Sequence, residues 1–404
     1  MQAPINRGWL FAGWMIVLVA ASPVDRQAQN HSNPPVPYAS LTTQPPRYRG
    51  PGREAEFDLP GNTIRIALLV PMQGAQKPDG EAIVTAAQLA IKDSEMRQPP
   101  GTRRVSLVIG DESGPAWGRV ADAMMDLVFH DQAIAIITSA NGATAHLCEQ
   151  VGNRIGVPVL TLSSDSTTTE INLPWIFRLG PSDAAQAAAM ASNIFGVRGL
   201  RRVLLVTQSN HDGIEGGREF RRAAARYPKT FVDSAVLDNL RPNASAIVAQ
   251  VRTHPPQAIV FWTDPEKAAP VVQQIRQMGV LSPIFLCEEA GQEGFFVNIH
   301  TPPAADIEDD GIWIPASSAN TDTLQRMNFR ERYETLRRIA PTPVAAQAYD
   351  AVTLGANAAR TSGANRARLR DQLARSRSYG GVSGMISFDG LGNNQAPVQV
   401  VRLF

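Results

Sequence analysis

Six histidines, His31, His130, His146, His211, His254 and His300, are the first residues to test for chemistry. None forms a His-Glu-x-x-His pair, and no Cys-x-x-Cys or clustered His/Cys spacing offers a metal-ligand set. There is no Gly-x-Ser-x-Gly elbow to expose a serine nucleophile and no Gly-x-x-x-x-Gly-Lys loop to cradle phosphate. Gly380, Gly381 and Gly384 read as a turn. The residue types therefore predict a protein that is not an enzyme and needs no cofactor and no metal. A Ser, His and Asp brought together from distant positions would leave no local motif. Binding chemistry is better represented. Ser139-Ala-Asn-Gly-Ala-Thr144 stands between a strand-like run and a helix-like one. Its small residues let a ligand approach the backbone, and the free N–H groups of a helix start suit a carboxylate. Asn141, Gly142, Ala143 and Thr144 are the candidate contacts; the competing reading is an ordinary N-cap and tight turn.

The elements that must position such a loop alternate along the chain. Apolar runs predict strands over 64–70, 105–109, 133–137 and 158–162, with helices over 81–92 and 144–155 between them. A further helix carries Trp117, Val120, Met124, Leu127 and Val128 on one stripe. The series repeats with helix 182–195, strand 202–206, a helix through Phe220, and strands 231–236, 258–262 and 283–286, with helix 265–278 before the last. Two successive alternating blocks predict two α/β lobes with parallel sheets.

The chain has 404 residues, enough for two domains, and a hydrophobic fraction of 44% that can supply each with a core. Residues 1–60 hold five arginines and four acids, so the remainder is balanced at 33 basic and 33 acidic residues. A neutral body argues against nucleic acid as a partner. Arg7, the apolar stretch from Trp9 to Ala21 and the small Ala20, Ala21 and Ser22 predict a secretory signal peptide over 1–22. An uncleaved anchor is the alternative. Residues 23–60 are rich in proline and poor in large apolar side chains, which predicts a disordered tether. Cys148 and Cys287 read as two buried thiols.

Several segments, in order, resemble the branched-chain amino acid binding proteins of the type I periplasmic fold. Ile64-Arg-Ile-Ala-Leu-Leu-Val-Pro, with Gly80-Glu-Ala and Ala86-Ala-Gln-Leu-Ala, is similar to that family's first strand and helix. Gly156-Val-Pro-Val-Leu, Trp175-Ile-Phe-Arg and Pro181-Ser-Asp resemble the run into its first lobe crossover. Ala348-Tyr-Asp-Ala-Val352 resembles a late helix, and Gly381-Val-Ser-Gly-Met-Ile-Ser-Phe-Asp-Gly the return to the second lobe. Together they run from about residue 63 to 404.

The resemblance implies two Rossmann-like lobes joined by a three-strand hinge. Lobe 1 would hold 61–180 plus 312–382, and lobe 2 would hold 181–311 plus 383–404. A ligand would lie between them, beyond the carboxyl ends of the strands. Leu162-Ser-Ser-Asp-Ser-Thr-Thr-Thr169 resembles the family's second ligand loop. Counting forward from Gly156 puts Ser163 and Asp165 at the contacting positions, and counting back from Glu170 puts Thr167 there. A polar turn without ligand contact is the alternative. Glu289 matches the acid that pairs with a ligand ammonium, with Glu288 as its competitor. Asp79 and Asp212 stand before Gly80 and Gly213, where the family often has aromatics. If both face the cleft, a polar or cationic solute fits better than an aliphatic one. Trp262 serves either as an apolar wall or as core. The implied function is an extracytoplasmic receptor that captures a small amino-acid-like or polar solute for an inner-membrane ABC permease. The alternative is a non-transport envelope protein on the same fold, regulating cell-wall synthesis or acting as a sensor.

Overall fold

Thr63-Ile-Arg-Ile-Ala-Leu-Leu-Val70 is apolar almost throughout because its strand is covered on both faces. The computed structural model describes residues 46–56, 59, 62–96, 101–238, 243–299, 311–317 and 323–403. The expected signal peptide lies outside the described residues. β1 (Thr63–Val70) opens a series of strand–helix units: α1 (Lys77–Met96), β2 (Arg104–Asp111), α2 (Ala121–Met125), β3 (Ala135–Thr138), α3 (Gly142–Ile155), β4 (Val159–Thr161), α4 (Thr167–Glu170) and β5 (Ile176–Arg178). These strands form a parallel sheet in the order β2-β1-β3-β4-β5, with Ile66 to Leu69 of β1 in register with Ala135 to Thr138 of β3. Ile64, Ile66, Leu68 and Val70 enter the core beneath α1, while Ala67 and Leu69 face the opposite core with Leu127 and Leu147.

The second lobe repeats the scheme with α5 (Asp183–Ala191), β6 (Arg202–Gln208), α6 (His211–Ala224), β7 (Phe231–Leu237), α7 (Ala244–Thr253), β8 (Ala258–Trp262), α8 (Pro265–Gln277), β9 (Ile284–Leu286), α9 (Glu293–Asn298) and β10 (Ile312–Ser317). The chain then returns to the first lobe as α10 (Leu324–Arg337), α11 (Pro343–Ser362) and α12 (Arg366–Ala374). The short hairpin β11 (Tyr379–Gly380) and β12 (Met385–Ile386) precedes β13 (Val398–Arg402). The second sheet runs β13-β10-β9-β8-β6-β7 and is parallel except for β13, which is antiparallel to β10. Buried alanines on α11, among them Ala345, Ala348 and Ala351, let it pack closely on Ala82, Ala86 and Ala90 of α1.

Four expectations change. β10 belongs to the second sheet, although a boundary at 312 assigned it to the first lobe; its backbone is paired on both edges, by β9 and β13. Residues 46–56, expected in the disordered tether, pack on the first lobe. Arg53 Nε meets Asp371 at 2.7 Å, Tyr48 stacks edge-on to Trp175, and Asn365 donates to the carbonyls of Gly52 and Ala55. Trp117 leaves its expected stripe and is exposed, because Gly118 at φ 133° interrupts the helix; Val120, Met124, Leu127 and Val128 are buried. α7 was not anticipated, since only Ile247 and Val251 of its residues are buried and so narrow a stripe gives little periodic signal.

At the hinge, the Arg178 N–H donates to Gly392 O at 2.8 Å and the Asn394 N–H to Arg178 O at 3.2 Å. Gly392 has φ 88°, and a Cβ there would stand 2.2 Å from the Ile176 carbonyl, so only glycine fits. Cys148 and Cys287 are free, buried and on different lobes. Trp262 is core, at the end of β8. Among the described residues, no helix is long and apolar enough to cross a membrane.

Candidate functional site

The carboxyl ends of both sheets face each other, and the loops there bring opposite lobes into hydrogen-bond contact. Asn141 caps α3 through a bond from the Thr144 N–H to its Oδ1 at 2.9 Å. That cap leaves the Gly142 N–H for another acceptor, and Asp212 Oδ2, from the first turn of α6, takes it at 3.1 Å. The reciprocal contact joins Asp79, in the first turn of α1, to α9: the Gly294 N–H donates to Asp79 Oδ1 at 2.6 Å. Each aspartate therefore sits at a helix start of the other lobe; Asp79 lines the central cavity, and Asp212 lines neither that cavity nor the mouth groove. A third contact closes the rim, where Glu293 accepts from Tyr333 Oη at 3.0 Å and pairs with Arg337.

Acids crowd this junction. Burial pushes Asp79 up to about 7, Glu112 to about 8, Glu266 to about 7 and Glu288 to about 8. Glu289 and Asp212 are also raised, by burial first and then by neighbouring carboxylates. Ser139 Oγ donates to Glu112 at 2.5 Å, and Gln347 on the first lobe donates to Glu288 on the second at 3.0 Å. Asp212 Oδ1 is buried without a hydrogen-bond partner among the described residues. A cavity of about 10 Å³ remains at the centre, lined by Asp79, Glu112, Asn141, Glu289 and Gln292 among others. It is the size of one water. A groove of about 360 Å³ lies at the mouth, against Glu112, Asn141, Ala143, Thr144 and Glu266. Space of that size accommodates a small organic solute.

The second loop points elsewhere. Ser163 Oγ accepts the Asp165 N–H at 3.2 Å, a turn within the loop. Asp165 and Thr167 bond to each other and to His146, and Asp165 Oδ2 also meets His211 Nε2 of the second lobe at 2.8 Å. None of the three lines the central cavity or the mouth groove. Burial alone would raise Asp165, but hydrogen bonds from His146 and Thr167 outweigh it and hold this carboxyl low. The same bond, accepted by Asp165, and then one accepted by Glu149 raise His146 to about 10.

Buried Arg178 holds this loop in place, donating to Ser164 O at 2.5 Å, Thr168 Oγ1 at 3.0 Å and Thr169 Oγ1 at 2.7 Å. Arg178→Met strands those acceptors and is expected to cost about 3 kcal/mol or more. At this chain length that corresponds to a melting temperature lower by roughly 3–5 °C. Differential scanning calorimetry checks it, and an unchanged midpoint would show that the loop stands without its guanidinium.

Sequence reading missed Glu112, Gln292, His146 and His211 as site residues. Glu112 follows the end of β2, the position where open parallel sheets bind ligands, and that rule was the available signal. The histidines carry no local signal, because their partners lie in other loops.

The comparisons with known proteins agree with this geometry. Residues 63–404 match the family described as periplasmic binding protein. The chain belongs to that family. Its members are substrate-binding proteins, and membership implies an extracytoplasmic location. The fold is the type I periplasmic binding fold: the isoleucine complex of the branched-chain amino acid binding protein LivJ from Streptococcus pneumoniae superposes with a TM-score of 0.73 at 21% identity, covering 84% of this chain and 99% of that one. The leucine-binding protein LivK from Thermotoga maritima gives 0.72 at 20% identity, over 83% and 94%. A solute-binding protein from R. palustris in complex with benzoate gives 0.72 at 18%, over 84% and 95%. Among curated sequences, glutamate receptor 2.9 of Arabidopsis thaliana is 29% identical over 131 residues, which is 32% of this chain and 14% of that receptor.

Proposed function

We propose that this periplasmic binding protein captures a small solute bearing amino or guanidinium groups between its lobes and presents it to an inner-membrane ABC permease. The observation that carries this reading is Asp212, a buried carboxylate at the lobe junction with one oxygen lacking a partner, next to a cavity and a groove whose charged lining residues, Asp79, Glu112, Glu266 and Glu289, are all acids. A cationic donor satisfies such an oxygen through a charge-assisted hydrogen bond, and it offsets the burial and the neighbouring carboxylates that raise Glu289. A ligand carboxylate meets the opposite situation, since the Gly142 N–H already has an anion on it. Amines without a carboxylate, such as polyamines and amides of basic amino acids, therefore fit this cleft better than aliphatic amino acids.

A thermal-shift and calorimetric screen of the exported chain tests this. Diamines, polyamines and basic amides are expected to stabilise it, by about 2.7 kcal/mol at a hundredfold excess over the dissociation constant. Glu289→Gln is expected to weaken the best of them. A panel in which only leucine-like or aromatic acids bind would overturn the cationic assignment. The near-absence of central space favours one second reading, an envelope protein whose lobes close without a solute. No binding from any class, together with capture of an envelope protein on the closed lobes, would select it.

A further inference from the structure

We propose that His146, Asp165 and His211 form a binding site for a divalent first-row transition-metal ion, Zn²⁺ in the first instance, that bridges the two lobes. Their ligand atoms lie within 4.8 Å of one another. His146 Nε2 stands 2.9 Å and His211 Nε2 2.8 Å from the same Asp165 Oδ2. Thr167 Oγ1 lies 2.8 Å from His146 Nε2, on the same side. Two imidazoles and one carboxylate, with a fourth position for a hydroxyl or water, suit Zn²⁺ and its neighbours. At bonds of about 2.0–2.2 Å, tetrahedral ligand atoms sit roughly 3.3 Å apart, so an ion would widen each His–Asp165 separation by about half an ångström and draw the two imidazole nitrogens together from within 4.8 Å.

A second observation is the support behind His146. Its Nδ1 meets Glu149 Oε2 at 3.1 Å, and Glu149 is buried, with its other oxygen lacking a partner. A carboxylate on the far nitrogen of a histidine fixes the tautomer that leaves Nε2 free to ligate, the arrangement seen behind protein metal ligands. Asp165 is in turn held by the Thr167 N–H at 2.9 Å. His211 is exposed on one side, which gives an ion a path from solvent. His146 and Asp165 come from the first lobe and His211 from the second, so metal affinity and lobe closure are thermodynamically linked. This inference does not rest on the solute proposed above.

The test uses the untagged, chelator-stripped exported chain, titrated with ZnCl₂ by calorimetry and with Co²⁺ by visible absorption. One equivalent is expected to bind, with a Co²⁺ band of four-coordinate type. His146→Ala and His211→Ala are each expected to weaken binding at least tenfold, and Glu149→Gln by about 10- to 100-fold. His130→Ala, an exposed histidine outside the cluster, leaves binding unchanged. His211→Ala is the decisive variant, because a half-exposed side chain can be removed without unfolding the lobe, and its melting curve verifies that. Absence of saturable binding overturns the proposal, as does one-equivalent binding that survives both histidine substitutions. Since no solute is added, failure here leaves the amine-binding reading standing.

Discussion

Asp212→Ala is expected to open the ligand-free protein and to raise its affinity for α-amino acids by about 10- to 100-fold. In the wild type this carboxylate reaches across the cleft to the Gly142 N–H at 3.1 Å, the position a ligand carboxylate needs. Removing it deletes a hydrogen bond involving a charged group, worth about 1.5–3 kcal/mol, from the closed state. It also frees the helix start of α3 and lifts a like-charge repulsion from an incoming carboxylate. One to two factors of ten correspond to about 1.4–2.8 kcal/mol, which matches that range closely. Small-angle scattering reads the opening, and calorimetry with zwitterionic and carboxylate-free ligands reads the change of preference. Gly142→Ala separates the two effects. A Cβ there would stand 2.0 Å from Asp212 Oδ1, so this variant must also open, but it gains no carboxylate binding. Combining the two should open the protein no further than either alone. A parent-like radius of gyration and ligand preference in Asp212→Ala would sink the idea that Asp212 fills a ligand's place.

Closure is also expected to depend on pH, strengthening in acid and weakening above neutrality. Asp79 has its pKa raised to about 7, first by burial and then, after the opposing bond from Gly294, by Glu266, Glu293 and Asp264. The acids that raise it lie on the second lobe, as does the helix that buries it, so the shift exists only while the lobes are closed. The closed state therefore holds a proton that the open state, with an ordinary carboxyl near 3.8, releases. A pKa raised in the closed form contributes closure that is fully present below the open-state value and is lost as pH rises through about 7. Three units correspond to on the order of 4 kcal/mol. Glu112 and Glu288, raised to about 8, act in the same direction. The Arg337–Glu293 ion pair at the rim opposes opening. Scattering from ligand-free protein at pH 5 and pH 8.5 should show the more compact form at pH 5. Asp79→Asn keeps an acceptor for Gly294 without an ionisable group, and should flatten much of the difference. Identical radii at both pH values would show that the lobes close for other reasons.

Local pattern made much of the architecture readable. The strands around Ile64–Val70, Val105, Ile136 and Ala258–Trp262 are apolar runs because each is buried in a parallel sheet, and burial on both faces writes itself directly into composition. The loops at 139–144, with its Asn141 cap, and at 163–169 were visible as small polar residues following such strands. Asp79 and Asp212 were visible as acids before Gly80 and Gly213, where the resembled family often has aromatics. Elements with little buried surface, such as α7, or with an irregular backbone, such as Trp117–Gly118, left no period to read.

By itself, the amino-acid sequence determined the alternation, the two lobes and the family, because each follows from neighbours along the chain or from ordered motifs. Only the tertiary structure decided which acids meet what. Asp212 finds Gly142 across 70 residues, and Asp79 finds Gly294 across 215. His211 reaches Asp165 across 46 residues and thereby converts a polar turn into a cluster with metal-ligand geometry. Contacts of this kind depend on how far two folded lobes close on each other, a distance set by packing over the whole molecule that leaves no trace in the spacing of the residues that meet.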